Sequence, residues 1–226
     1  MKITYLGHAT ILIETKDKTI LVDPFITGNE LAAHIDINSL KPDYILITHA
    51  HQDHILDVEV IAKNSGATLI SNFEIISYFE KKGLQGHPMN HGGSWQFDFG
   101  RVHYTNAIHS SSFPDGSYGG QPGGFIIETK HHNIFIAGDT ALTYDMKLIP
   151  RLVGPLDLAV LPIGDNFTMG VKQAIIAADF LECNTILGYH YDTFGYIKID
   201  HKNAQEQFAK DHKELHLLPI GDSLKV

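Results

Sequence analysis

The chain has 226 residues, 43% hydrophobic and 19% charged, with a formal net charge of -9. That length carries one sizeable core, and a single α/β domain over residues 1–226 is the simplest organisation. The acidic balance weighs against nonspecific nucleic-acid binding, which rests on Lys and Arg neutralising phosphates, but it leaves room for an anionic substrate where a metal site supplies positive charge.

Short β-type runs open the chain over 2–6, 10–14 and 19–22. Lys16-Asp17-Lys18 is a tight polar turn, so the second and third runs pair as a hairpin. Asp23-Pro24 ends the third run, a loop with Gly28-Asn29 follows, and a short helix is expected around 30–34. The apolar run 44–47 is the next strand. Residues 55–64 have helical spacing, with Gly66 as the stop. A strand over 68–70 leads to Asn72, which caps a helix running to Lys82 and ending at Gly83.

The pattern turns β again over 94–99, 101–107, 124–129 and 132–137. Later strands fall at 156–161, 185–187 and 215–218, and helices fill 172–181 and 201–210. Each half thus holds several strands and then alternates strand with helix. Two mixed β-sheets packed face to face, with helices on both outer faces, satisfy that order, giving a four-layer αβ/βα sandwich of the α/β class. Residues 110–123 are the longest stretch without periodicity, either a binding loop or a mobile surface excursion.

Cys183 is the only cysteine, so no intrachain disulfide can form, and its apolar neighbourhood marks a small core residue. Residues 1–14 alternate like a strand of the fold rather than a leader, and no apolar run approaches a membrane span. A cytoplasmic protein without membrane attachment is the expectation.

The chemistry concentrates in Thr48-His49-Ala50-His51-Gln52-Asp53-His54, directly after the strand at 44–47. Imidazole and carboxylate are the usual ligands of zinc and related divalent ions. Three histidines and an aspartate this close are more than one tetrahedral ion needs, so the cluster points to two ions side by side. A turn at a strand end lets such side chains converge. His109, Asp139 and His190 complete the set, each where a strand gives way to a loop. One such histidine alone is more often a satisfied or exposed residue; the whole set in this order reads as a metal site.

The order of these motifs resembles the metallo-β-lactamase superfamily, which has the αβ/βα sandwich. Leu6-Gly7-His8-Ala9-Thr10, Leu21-Val22-Asp23-Pro24-Phe25 and Gly164-Asp165-Asn166-Phe167-Thr168-Met169-Gly170 resemble a narrower group, the UPF0173 metal-dependent hydrolases, which are similar to the ascorbate-6-phosphate lactonases. The resemblance implies that His49, His51 and His109 hold one ion, that Asp53, His54 and His190 hold the second, and that Asp139 bridges them. A second bridge, water or hydroxide, would be the nucleophile. The implied activity is hydrolysis of an ester, lactone or phosphoester-type bond in a small, possibly anionic molecule. Members of the superfamily cleave many bond types, so the motif does not choose the substrate. Zn²⁺ is the first choice of metal, and Mn²⁺, Fe²⁺ or Ni²⁺ tolerate the same donors. Relatives with this fold often form dimers or larger assemblies, so a homo-oligomer is expected.

His8 is an addition to the superfamily set. It is open to three roles, as extra ligand, proton donor to the leaving group or support for another ligand, beside that of a plain turn histidine. With Asp53 it makes up the catalytic candidates. Asp23 either accepts a hydrogen bond from a liganding imidazole or is a turn residue before Pro24. Asn166 or Thr168 could donate to a substrate oxygen and Asp165 could orient a neighbour; equally, Asp165 or Asn166 could cap a helix beginning near Gly170 or begin a turn. Tyr191, Asp192 and Phe194 are candidate walls of the site. His87, His91, His131, His132, His201, His212 and His216 read as loop or surface residues.

Three other readings compete. A redox di-iron protein of this fold would carry a carboxylate in place of His51. A nuclease of the superfamily usually adds a cap or exosite and positive surface, against the compact length and net acidity here. A metal-binding or sensory protein without turnover is favoured if protein groups fill every coordination position.

Overall fold

The computed structural model describes residues 1–226. Strands β1 (Lys2–Gly7), β2 (Thr10–Glu14), β3 (Thr19–Val22), β4 (Tyr44–Leu46), β5 (Thr68–Asn72) and β6 (Gly86–Met89) build the first sheet. Strands β7 (Ser94–Phe97), β8 (Gly100–Asn106), β9 (Gly123–Glu128), β10 (Asn133–Ile136), β11 (Leu158–Pro162), β12 (Thr185–Tyr189) and β13 (Glu214–His216) build the second. The last strand, β14 (Ser223–Lys225), returns to pair with β1, so the orders are β14-β1-β2-β3-β4-β5-β6 and β13-β12-β11-β10-β9-β8-β7. The expected hairpin is present, with Ile11 opposite Val22 and Ile13 opposite Ile20.

The period-two alternation of these strands decides the layers. Ile20 and Val22 face the second sheet, in a core shared with Leu46, Ile70, Val102, Phe125, Ile136, Val160 and Leu187. Leu21, between them, faces outward with Ile45 and Leu69, onto helices α2 (Val58–Ser65) and α3 (Phe73–Glu80). On the other flank Phe135, Ala159 and Ile186 pack against α5 (Val171–Phe180) and α6 (His201–Lys210). The result is the four-layer αβ/βα sandwich. Cys183 is buried among the apolar residues of the second flank, as its neighbours predict. No helix is long and apolar enough to cross a membrane.

The helix expected over 55–64 is two helices, α1 (Gln52–Ile55) and α2. Asp57 breaks them apart. Its carboxylate turns away to accept from the amides of Ile26 and Thr27, at 2.6 and 2.9 Å. Asp53 and His54 therefore sit on a helical turn, not on a loop. Gly66 ends α2 in the left-handed region, and Asn72 caps α3 by accepting from Ile75 N–H. A further short helix, α4 (Ile149–Val153), lies between β10 and β11.

Residues 110–123 are anchored. Asn72 Nδ2 donates to the carbonyls of Gly119 and Gln121, and Ser111 Oγ donates to Gly119 while accepting from Ala50 N–H. His87 lies on a strand rather than a loop, because β6 is an edge strand that the sequence signals poorly, and His216 lies at the end of β13, the strand expected over 215–218.

Candidate metal centre

Five of the site segments leave the ends of strands. His8 follows β1, Asp23 follows β3, the His49 to His54 run follows β4, Asp139 follows β10 and His190 follows β12. Ligand sites of α/β sheets gather at such strand ends, where the backbone is released from the ladder. His8, Asp23 and His190 adopt left-handed backbone conformations, with φ of 53°, 44° and 56°. Non-glycine residues are uncommon there. Each is held by a long-range bond: Asp23 N–H donates to Leu46 and His190 N–H donates to His8. Gly138 has φ 66°, and a Cβ on it would lie 2.6 Å from the Gly123 carbonyl oxygen, so only glycine lets Asp139 come this close to β9. The His109 loop is stitched to the Asp139 loop by Ile108 N–H to Thr140 Oγ1 and Ala141 N–H to the Ile108 carbonyl, both 3.0 Å.

The donor atoms form two groups that share no residue, His49 with His51 and His109, and His8 with Asp53, His54 and His190, and a third, Asp23 with His49 and His54, links them from behind. Asp139 lies between them. Its Oδ2 is 3.6 Å from His109 Nε2, 3.5 Å from His54 Nε2 and 2.9 Å from His190 Nε2. All seven residues singled out by spacing thus converge.

Asp23 organises the imidazoles from behind. It is fully buried and accepts from Thr48 N–H, Thr48 Oγ1 and His54 Nδ1, at 2.8, 2.6 and 2.8 Å. A carboxylate only accepts, so the network assigns the His54 proton to Nδ1 and leaves the Nε2 lone pair facing the cluster. Thr48 spends its hydroxyl hydrogen on Asp23, so at 3.0 Å it accepts from His49 Nδ1, and the His49 Nε2 lone pair, turned to the cluster, accepts from His51 Nδ1 at 2.9 Å. The turn-residue alternative for Asp23 is thereby absorbed, since it is both turn and anchor.

His8 is buried, with Nε2 3.0 Å from Asp53 Oδ2 and Nδ1 3.0 Å from Thr193 Oγ1. Burial, then the neighbouring His190, push its pKa down to about 4 against the pull of Asp53. A neutral ring that donates to Asp53 from Nε2 accepts from Thr193 at Nδ1.

The electrostatics fit a divalent cation. Every ion-pair partner of Asp23, Asp53 and Asp139 is a histidine; no Lys or Arg reaches them. Burial opposes ionisation of Asp53 and Asp139, yet the imidazoles around them hold both below the usual carboxylate range. Burial would lower His54 and His190, but Asp139 and its fellow carboxylates raise His54 and push His190 up to about 9. Burial lowers His49, His51 and His109. The carboxylates thus favour positive charge at His54 and His190, which is the kind of charge a divalent ion would supply. His54 Nε2, Asp139 Oδ1 and His190 Nδ1 are buried without a hydrogen-bond partner, while His190 Nε2 meets only Asp139 Oδ2, at 2.9 Å. Such orphans cost on the order of 1–3 kcal/mol each unless a ligand takes them up.

Other candidates land elsewhere. Asp165 and Asn166 occupy a left-handed turn, φ 62° and 56°, in which Asp165 Oδ1 accepts from Asn166 N–H. Neither caps α5, whose N-terminus is Gly170, with Gln173 Oε1 accepting from Gly170 N–H. Thr168 Oγ1 donates to the Met169 carbonyl. None of the three bonds to a cluster residue. Tyr191 is not a wall: it is buried against Tyr5, ring centroids 6.1 Å apart. Asp192 binds His201 at 2.6 Å, which gives that surface histidine a structural partner. Phe194 does reach the site, edge-on to His8 at 5.2 Å. Sequence reasoning passed over Thr48, Thr193 and Ser110, whose Oγ lies 3.3 Å from His51 Nε2. Their only signal was closeness in the sequence to a candidate ligand.

The fold and the donor set define the class. Residues 2–190 match the family model described as the β-lactamase superfamily domain. A "UPF0173 metal-dependent hydrolase" of Flavobacterium johnsoniae is 67% identical, covering 100% of both chains, and one of Christiangramia forsetii is 65% identical with the same coverage. The solved structure of Igni18, a metallo hydrolase of Ignicoccus hospitalis, aligns with a TM-score of 0.89 at 32% identity, over 99% of this chain and 97% of that one. The chain belongs to the UPF0173 metal-dependent hydrolases of the β-lactamase superfamily.

Proposed function

We propose that the chain opens an ester, lactone or phosphoester-type bond of a small molecule at a dinuclear metal centre. The observation that carries this reading is Asp139, one carboxylate in reach of both donor groups and with a buried oxygen to spare. His49, His51 and His109 would hold one divalent ion and Asp53, His54 and His190 the other, with Asp139 joining them. Zn²⁺ is the first choice, and Mn²⁺, Fe²⁺ or Ni²⁺ suit the same donors. When bound, such a pair supplies water acidified to near neutrality as nucleophile and positive charge for the oxygen of the bond under attack.

The chain's own residues prepare that chemistry. Asp23 presets the tautomers of His49 and His54. His8, steadied by Thr193, orients Asp53 through Nε2–H and so acts as a positioning residue. Asp53 and His109 keep 26% and 15% of their side-chain surface open, so a reacting bond has a way in. That opening favours turnover over metal storage or sensing. The test is a screen of neutral esters, lactones and phosphodiesters with metal-loaded protein and with His49→Ala/Asp139→Ala. Hydrolysis of one class, lost in the double variant, is expected. A double variant that keeps its metal and its activity overturns the assignment.

A further inference from the structure

A cleft of about 620 Å³ opens directly on the cluster and shares Asp53 with it. Its other walls are Phe25, Leu56, Phe167, Phe194, Tyr196 and the small or neutral Gly28 and Gln52. We infer that this cleft receives an uncharged apolar group of the substrate, of about the size of a phenyl ring or branched alkyl chain, attached next to the bond that is cleaved. This deepens the proposed hydrolytic reading and rests on it for the meaning of "substrate".

Three observations support the inference. The first is where the walls come from. Phe25 is two residues beyond Asp23, Leu56 two beyond His54, and Phe194 four beyond His190. Folding the metal site therefore also places the cleft. The second is exposure. Phe167, Tyr196 and Leu56 are 50%, 80% and 36% exposed, yet they gather at one opening. Large apolar side chains scattered over a surface need no explanation; clustered at the mouth of a reactive site they do. Phe167 is delivered there by the strained Asp165-Asn166 turn, and Tyr196 by the 3-10 turn Gly195–Ile197. Their rings meet edge to face with centroids 6.3 Å apart, as two sides of an aromatic slot.

The third observation is charge. Asp53 is the only acidic residue in the lining, and no Lys or Arg joins it. A second carboxylate or phosphate on the substrate would find no partner there and would face Asp53. An apolar group loses only water. The floor is fitted closely: a Cβ on Gly28 would lie 2.3 Å from a Phe25 ring carbon and 2.7 Å from a Leu56 methyl.

The experiment compares kcat/KM for 4-nitrophenyl esters with one leaving group and varied acyl part, namely acetyl, phenylacetyl and the anionic succinyl. Metal-loaded wild type is set against Phe167→Ala, Tyr196→Ala and their double variant, with metal content measured in each. A second readout is ¹⁵N NMR of the same proteins titrated with phenylacetamide, a neutral probe of the slot. Both rings are exposed, so the variants keep their fold. Preference for phenylacetyl over acetyl and succinyl is expected, falling by about tenfold for each ring removed. Phenylacetamide should shift the amides of Leu56, Phe167 and Tyr196. Ester hydrolysis without acyl preference, or faster succinyl than phenylacetyl turnover, overturns the inference while leaving the hydrolytic reading standing. Probe binding at these amides without hydrolysis of any ester supports the apolar subsite and counts against the ester reading instead.

Discussion

Asp23→Asn exchanges one oxygen for an NH₂, and the geometry predicts that it reverses the tautomers of two imidazoles of the cluster. Thr48 N–H donates to Asp23 Oδ1 at 2.8 Å, which keeps the amide oxygen there and puts the NH₂ in place of Oδ2. Oδ2 now accepts from both Thr48 Oγ1 and His54 Nδ1. An NH₂ donates instead. His54 Nδ1 must then accept, and its proton moves to Nε2, the atom 3.5 Å from Asp139 and 3.8 Å from Asp53. Thr48 Oγ1 must accept too, so its hydrogen turns toward His49 Nδ1 and sends that proton to Nε2 as well. Freeing either Nε2 for a metal then forfeits the stabilising bond at Nδ1. A hydrogen bond to a charged group is worth about 1.5–3 kcal/mol. At 1.4 kcal/mol per decade, metal affinity should fall roughly 10- to 100-fold, the usual range for such outer partners. Competition with a chromophoric chelator measures the affinity, and long-range ¹H–¹⁵N NMR reads the tautomers. Wild-type affinity with the His54 proton still on Nδ1 would refute the reasoning.

Three other outcomes follow from the same contacts. In metal-stripped protein, His190 is pushed up to about 9 from an unfolded value near 6.5, so its contribution is fully present below 6.5 and lost as pH rises through 9. His8, pushed down to about 4, acts in the opposite sense, and stability is lost as pH falls from 6.5 toward 4. The Tm of the stripped protein should therefore peak near pH 6.5, whereas metal affinity should rise from pH 6.5 to 9 as the competing proton leaves; a flat metal affinity across that window contradicts the assignment. His8→Ala should weaken the ion held by Asp53, His54 and His190 about tenfold or more and spare the His49, His51 and His109 group, read by two-step metal titration. Asn72→Ala removes the cap of α3 and two anchors of the 110–123 loop, and should cost about 1–3 kcal/mol in denaturant unfolding without changing metal stoichiometry.

The layered fold was legible because alternation in β2, β3 and β8 to β10 is local and its period fixes both faces at once. The helix predicted over 201–210 matches α6 for the same reason, since its apolar residues repeat with helical spacing. Two strands were not legible. Gly86-His87-Pro88-Met89 holds a proline and no alternation, and becomes β6 only because β5 offers an open edge. Ser223–Lys225 becomes β14 because it meets β1, 219 positions away at the Thr4 to Ser223 hydroxyl contact. The residues that converge in the cluster were legible from type and spacing. Their support was not: Thr48, Thr193 and the backbone bond from His190 to His8 depend on which strand ends meet in space. Nor could the sequence show that Phe167, rather than Asn166 or Thr168, is what its turn delivers to the mouth of the site.

The most direct test of the central claim is metal content per chain, by elemental mass spectrometry, on wild type and Asp139→Ala after reconstitution and removal of loosely held ions. Two equivalents in the wild type, falling to one or none in the variant, are predicted. One equivalent in both proteins would contradict a dinuclear centre joined by Asp139.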